Sequence, residues 1–182
     1  MRSDIRSSFI SSTTTASGVL VTITLTLVSA SNACAPLSGY AIYFWHCDSD
    51  GLYSLYTAPT ESYLRGVQVT DANGQITFTT VFPGCYSGRW PHYHFEVFSS
   101  LSAATTGKAA VLTSQLALPS ALCATLYADT SLYPSSASNF ANVSLSSDNV
   151  FSDNTAAQIA QQTPSFSGSV SAGYTATATI GI

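Results

Sequence analysis

The chain has 182 residues, 46% apolar and 12% aromatic, so it can bury a core and does not read as disordered. Only 8% are charged, the formal net charge is -4, and the five cations Arg2, Arg6, Arg65, Arg89 and Lys108 are scattered. That excludes the basic patch that nucleic acid needs, and no apolar run reaches the length of a membrane span. Charged residues make up about a quarter of an average soluble protein. A surface this poor in charge and rich in hydroxyls suits a secreted, extracellular protein.

Residues 3–17 are polar and read as an arm. The next stretch, about 18–28, alternates: Val21, Ile23, Leu25 and Leu27 share one face, with Thr22, Thr24 and Thr26 on the other. The same stretch also fits a secretory signal. Met1-Arg2 is a charged start, Val19 to Val28 is apolar, and Ser29-Ala30-Ser31-Asn32-Ala33 has the small residues of a cleavage site. A threonine at every second position favours the strand, on which reading any signal peptide is already absent. Asn32 to Ser38 is a turn. Residues 39–46 are apolar on both faces, as in a central strand.

Cys47-Asp48-Ser49-Asp50-Gly51 closes that strand; it is read as a plain turn, because the rest of a calcium loop is missing. Leu52 to Leu64 is a loop with Tyr53, Tyr56 and Tyr63. Val67 to Thr70 and Gln75 to Phe82 read as a hairpin across Asp71-Ala72-Asn73-Gly74, since Asn-Gly is the strongest short turn signal. A strand follows at about 109–116, then a short helix at 119–128, a Ser- and Asn-rich loop at 129–154, and strand-like alternation at 166–180. Asn142-Val143-Ser144 is a glycosylation sequon in a eukaryotic secretory host. Short strands with turn signals and no internal repeat indicate one domain over 1–182: an all-β sandwich of mainly antiparallel strands, with long loops and at most a short helix.

Cys34, Cys47, Cys85 and Cys123 are widely spaced and form no C-x-x-C. In a secreted chain they read as two disulfides with three possible pairings, of which Cys47–Cys85 with Cys34–Cys123 is preferred; the other reading is four free thiols.

The chemistry concentrates in Pro83-Gly84-Cys85-Tyr86-Ser87-Gly88-Arg89-Trp90-Pro91-His92-Tyr93-His94-Phe95. On a strand, His92, His94 and Glu96 share one face, and Tyr93, Phe95 and Val97 the other. Two imidazoles side by side on a rigid strand can grip a metal. His46, after a buried strand, is read as structural. Trp90 and Pro91 are read as shaping the start of the strand, and Tyr56 and Tyr63 as residues that could line a pocket.

Taken together, Trp45-His46-Cys47-Asp48, Gly51-Leu52-Tyr53-Ser54, Leu64-Arg65-Gly66, Asp71-Ala72-Asn73-Gly74, Pro83-Gly84-Cys85-Tyr86, Gly88-Arg89, Pro91-His92-Tyr93-His94-Phe95 and Thr113-Ser114-Gln115-Leu116 run in an order that resembles the intradiol ring-cleavage dioxygenases. These non-haem iron(III) enzymes open catechols between the two hydroxyls. The resemblance spans most of the chain to about residue 118. It implies Fe(III) on Tyr53, Tyr86, His92 and His94, with Tyr53 and His92 in the plane of a bound hydroxide and Tyr86 and His94 axial. It also implies that Tyr86 leaves the metal and takes a substrate proton, that Arg89 stabilises negative charge on the ring, and that Gln115 orients substrate or oxygen. The partners implied are a small aromatic diol and O2, and the product is a cis,cis-muconate. Phenolate oxygen suits a hard, highly charged cation, which makes deprotonation of tyrosine at neutral pH possible.

The chain departs from the family in two ways. The step from Tyr86 to His92 is short, which implies an open pocket, and there is no helical amino-terminal segment of the kind that dimerises catechol enzymes, which leaves a monomer as the expectation. Two rival readings keep the fold and not the reaction. One is a secreted β-sandwich binding module for polysaccharide or protein, with no iron and no dependence on His92. The other is copper or zinc on His92 and His94, with both tyrosines protonated.

Overall fold

The alternation of branched and hydroxyl side chains from Val21 to Leu27 builds the longest strand of the fold. The computed structural model describes residues 1–182 and contains nine strands: β1 (Leu20–Ser29), β2 (Ala35–Pro36), β3 (Ala41–Trp45), β4 (Arg65–Val69), β5 (Gln75–Val81), β6 (His92–Phe98), β7 (Leu112–Ala117), β8 (Ser165–Ser169) and β9 (Gly173–Gly181). One sheet is centred on β1, which pairs antiparallel with β5 and β2 and parallel with β9, with β8 outside β9. The other runs β4-β3-β6-β7, all antiparallel. The strand reading of the signal-like segment therefore holds: a helix or extended leader could not make the continuous register from Val21 to Val28 with β9.

The two sheets close on one core. Val21, Ile23, Leu25 and Leu27 of β1, Ile76 and Phe78 of β5, Ile42 and Phe44 of β3, and Tyr93, Phe95 and Val97 of β6 are all buried in it. Four short helices fill the connections: α1 (Leu101–Thr105), α2 (Ser120–Tyr127), α3 (Ser136–Phe140) and α4 (Ala156–Gln161). The expected helix at 119–128 is α2. The segment read as loop at 129–154 contains α3, and α4 begins at a Thr155–Gln158 capping box. The polar amino-terminal arm is docked: Ile5 is fully buried, its N–H donates to the Thr79 carbonyl, and Arg2 donates to the carbonyls of Ile5, Ser62 and Arg65. No helix is long and apolar enough to cross a membrane.

Two expectations are corrected. The Asp71–Gly74 turn forms as its residues dictate, with Asp71 accepting from the N–H of Asn73 and Gln75 and Gly74 at φ +73°. Its arms do not pair with each other. β4 pairs with β3 and β5 with β1, so the turn carries the chain from one sheet to the other. Turn chemistry specifies a reversal, and the burial of Ile76 and Phe78 decides which sheet the second arm joins.

The expected disulfides are absent: all four cysteines are thiols. Cys34 is exposed in the turn after β1 and Cys123 is fully buried in α2, and no bond joins them. Cys47 and Cys85 are both buried, but their sulfurs face different carbonyls, Cys47 that of Gly84 and Cys85 those of Arg89 and Tyr86. Burial pushes the Cys85 thiol up to about 12 and the Cys47 thiol higher still.

Candidate functional site

Period-two geometry puts His92 and His94 on the outer face of the second sheet, opposite core-facing Tyr93 and Phe95. Register continues the row: His94 stands opposite Trp45 on β3 and Gln115 on β7, and Trp45 stands opposite Arg65 on β4. The Trp45 indole stacks flat on the His94 ring, 4.7 Å between centroids and 7° between planes. His92 Nδ1 lies 2.5 Å from the Trp90 carbonyl oxygen, which can only accept, so the proton is on Nδ1 and the Nε2 lone pair faces outward.

The two tyrosines come from loops that are zipped together. The Gly84 N–H donates to the Asp48 carbonyl at 2.9 Å, and a side chain at Gly84 would place its Cβ 2.4 Å from the Ser49 oxygen. Gly51, at φ +83°, leaves just room for Tyr86, whose Cβ would lie 2.8 Å from an added one. This close approach is what those two glycines allow. On the Tyr86 side, Cys85 is held by Ser136 and Asn139 of α3, at 2.9 and 2.8 Å. On the Tyr53 side, the Ser54 hydroxyl donates to the Tyr63 carbonyl, and Arg65 grips both the Ser54 hydroxyl and carbonyl.

These elements bring four donor atoms together. Tyr53 Oη lies 3.0 Å from His94 Nε2, 3.4 Å from His92 Nε2 and 3.5 Å from Tyr86 Oη. His92 Nε2 lies 3.0 Å from His94 Nε2 and 3.4 Å from Tyr86 Oη. A cation at ordinary nitrogen and oxygen distances of about 2.0–2.1 Å spaces four ligands about 3.3 Å apart, so this set fits one. Nowhere does the chain gather three or more His, Cys, Asp or Glu side chains that could hold a metal. The donors here are mixed, two phenols and two imidazoles.

The electrostatics agree with that fit. Burial lowers His92 to about 4 and His94 to about 3, so both are neutral ligands at pH 7. Burial raises Tyr86 and pushes Tyr53 far up, so neither phenol ionises near neutrality unless a cation offsets the charge.

The remaining expected residues fall beside the cluster. Arg89 Nη1 stands 3.5 Å from Tyr86 Oη, and its Nη2 donates to Gln115 Oε1 at 2.7 Å. Trp90 is buried, with its indole N–H on the Leu118 carbonyl, and shapes the start of β6 as expected. His46 is structural: fully buried, it lies 2.7 Å from the Cys47 carbonyl and 2.6 Å from the Thr80 hydroxyl. Tyr63 and Tyr56, the pocket candidates, take different places. Tyr63 is buried with its hydroxyl on Asp48, and the exposed Tyr56 ring lies against the Arg65 guanidinium. Asp48 spends its oxygens on turn N–H groups and Tyr63, as a turn residue does.

Sequence reasoning missed Asp148 and Trp45. Buried Asp148 accepts from Arg89 Nε at 2.9 Å across 59 positions, from a segment that reads only as loop. Trp45 was visible in its motif, but its stack on His94 depends on strand register, which only pairing defines.

The family model described as "Dioxygenase" matches residues 9–108, more than half of the chain. No match stands among the curated proteins. Among solved structures, the chain is similar to the intradiol ring-cleavage dioxygenase from Tetranychus urticae, at 23% identity and TM-score 0.73 over all of this chain and 86% of that one. It is similar to the dioxygenase domain of a dioxygenase carbohydrate-binding protein fusion from Streptomyces sp. SirexAA-E, at 23% identity and TM-score 0.63 over all of this chain and 86% of that one. It is also similar to 3-chlorocatechol 1,2-dioxygenase from Rhodococcus opacus 1CP, at 17% identity and TM-score 0.59 over 91% of this chain and 60% of that one. Those identities speak for the shared sandwich, while the matched stretch runs from the arm through β6 and carries Tyr53, Tyr86, Arg89, His92 and His94. On that match the chain belongs to the intradiol ring-cleavage dioxygenases.

Proposed function

We propose that this chain is a secreted non-haem iron(III) intradiol dioxygenase that opens catechol-type diols with O2 between the two hydroxyls, giving cis,cis-muconate-type products. The observation that carries the reading is the convergence of Tyr53 Oη, Tyr86 Oη, His92 Nε2 and His94 Nε2, with neighbouring donors 3.0–3.5 Å apart. Those four would hold Fe(III), which when bound supplies the positive charge that ionises the phenols and the Lewis acidity that readies a diol for O2. The extracellular setting rests on the low charge and high hydroxyl content of the chain.

The chain's own groups then divide the work. His92, locked by its Nδ1 bond to Trp90, and His94, held by the Trp45 stack, remain neutral ligands. Tyr86 is the phenolate that accepts a diol proton at Oη, with Arg89 Nη1 beside it. The Arg89 guanidinium stabilises negative charge that develops on the diol ring. Gln115 anchors Arg89 through Oε1 and keeps its amide N–H donors for a bound diol.

The test is a visible absorption spectrum with metal analysis, before and after catechol is added under air. Iron-bound tyrosinate absorbs in the visible, which neither histidine nor zinc can reproduce. The expected result is a coloured, iron-containing protein whose band shifts with catechol, followed by oxygen uptake and a muconate product. Tyr53→Phe and His92→Ala should each lose iron and activity. A protein that stays colourless and iron-free after loading, and is indifferent to these substitutions, would overturn the reading and leave a binding module on the same fold.

A further inference from the structure

Arg89 is held from two sides. Its outer edge meets Tyr86 Oη and Gln115 Oε1, and its inner edge meets Asp148, with Nε 2.9 Å from Oδ2 and Nη2 3.4 Å from Oδ1. The carboxylate is itself fixed. Oδ2 also accepts from the Trp90 N–H at 2.7 Å, and Oδ1 from the N–H groups of Val150 and Phe151 at 2.8 and 3.2 Å. Burial pushes this carboxyl up, but the bonds from Arg89, Trp90 and Val150 more than offset that and hold it below its ordinary range. An arginine without such a partner has many rotamers and reaches for water; one paired along an edge is pre-organised.

We propose that Asp148 is a positioning residue: it aims Arg89 at Tyr86 Oη and Gln115, and by occupying the inner edge of the guanidinium it leaves only the outer edge for charge that develops on a bound diol, so that the site selects uncharged aromatic diols over diols that carry a carboxylate. This rests on the dioxygenase reading. A carboxylate elsewhere on the substrate ring finds the inner edge of Arg89 already paired with Asp148. Arg65, the other cation near the cluster, is committed to Ser54 and Tyr43, and Lys108 is exposed after α1.

The test compares Asp148→Asn, Arg89→Gln and the double variant with the unaltered iron-loaded chain. Removing the hydrogen-bond partner that orients a metal ligand costs about 10- to 100-fold, and a group that orients a charge beside the metal should cost about as much. Asp148→Asn should therefore lower kcat/KM for catechol by about that factor, mostly in kcat, and reduce the preference for catechol over 3,4-dihydroxybenzoate. In the double variant the losses should not add, because Asp148 acts through Arg89. If Asp148→Asn does not fold, Asp148→Glu, which keeps the charge and displaces the carboxylate, should lower kcat while leaving the preference between the two diols in place; unchanged kcat in that variant would overturn the proposal. Unchanged kinetics in a folded Asp148→Asn variant, or additive losses, would overturn the proposal.

Failure of the dioxygenase reading shows separately, as a chain without iron colour or turnover. Asp148 is then judged by NMR of the metal-free protein. A slowly exchanging Arg89 Nε–H that disappears in Asp148→Asn supports the clamp, and a rapidly exchanging one in the unaltered chain overturns it.

Discussion

Two buried tyrosines show how the same residue type carries opposite signs of stability. Tyr93 is fully buried between the sheets, and its hydroxyl has no hydrogen-bond partner. An unpaired buried hydroxyl costs roughly 1–3 kcal/mol. Tyr93→Phe should leave stability unchanged or raise it, by up to roughly 1 kcal/mol after the small void is counted. Tyr133 is equally buried, but its hydroxyl donates to the Phe82 carbonyl at 3.1 Å and accepts from the Val19 N–H at 3.0 Å. Tyr133→Phe leaves both groups unpaired and should cost about 1–3 kcal/mol. Urea unfolding of the two variants side by side reads the signs; destabilisation by Tyr93→Phe would show that its hydroxyl has a partner in solution. Neither fate is visible in sequence, because whether a hydroxyl finds a carbonyl depends on segments far along the chain.

Elements explain why the site is rigid. His92 and His94 could be read from alternation, since a strand repeats every second residue whatever its partners. The contact between the Tyr53 and Tyr86 loops could not, although its glycines were plain in the motifs. Gly84→Ala should force the 84–86 segment away from Ser49, destabilising the fold by about 1–3 kcal/mol and, on the proposed iron(III) reading, weakening iron retention more than a core change of equal cost. Paired measurements of melting temperature and bound iron would separate the two effects; full iron retention would show that the loops move together. The Asp71–Gly74 turn teaches the same lesson. Its chemistry was legible, but the partners of its arms were decided by which sheet could bury Ile76 and Phe78.

Across the whole molecule, buried histidines tie stability to pH. Burial holds His46, His92 and His94 at about 3, 4 and 3, against an ordinary value near 6.5. The unfolded chain therefore binds more protons between those limits. The stability these groups contribute is fully present above about pH 6.5 and falls as pH is lowered towards 3–4. Denaturant midpoints of the metal-free protein should decrease over that range, and flat midpoints from pH 7 to 4 would mean the rings are hydrated. Free cysteines give a second global test. Reductant should leave the melting temperature unchanged, and Cys34 alone should react quickly with a thiol reagent in the native state. A reductant-sensitive transition would show that a bridge forms in solution.

By itself the sequence determined the period of each strand, the positions of the turns and the order of tyrosine, arginine and histidine donors, because these follow from local backbone geometry and residue chemistry. Only the tertiary structure decided that β9 enters beside β1 in parallel, that Cys34 and Cys123 are not bonded, that Trp45 stacks on His94, and that Asp148 reaches Arg89. Each of those is a choice among distant partners, made by the burial of apolar faces and the pairing of buried polar groups over the whole chain.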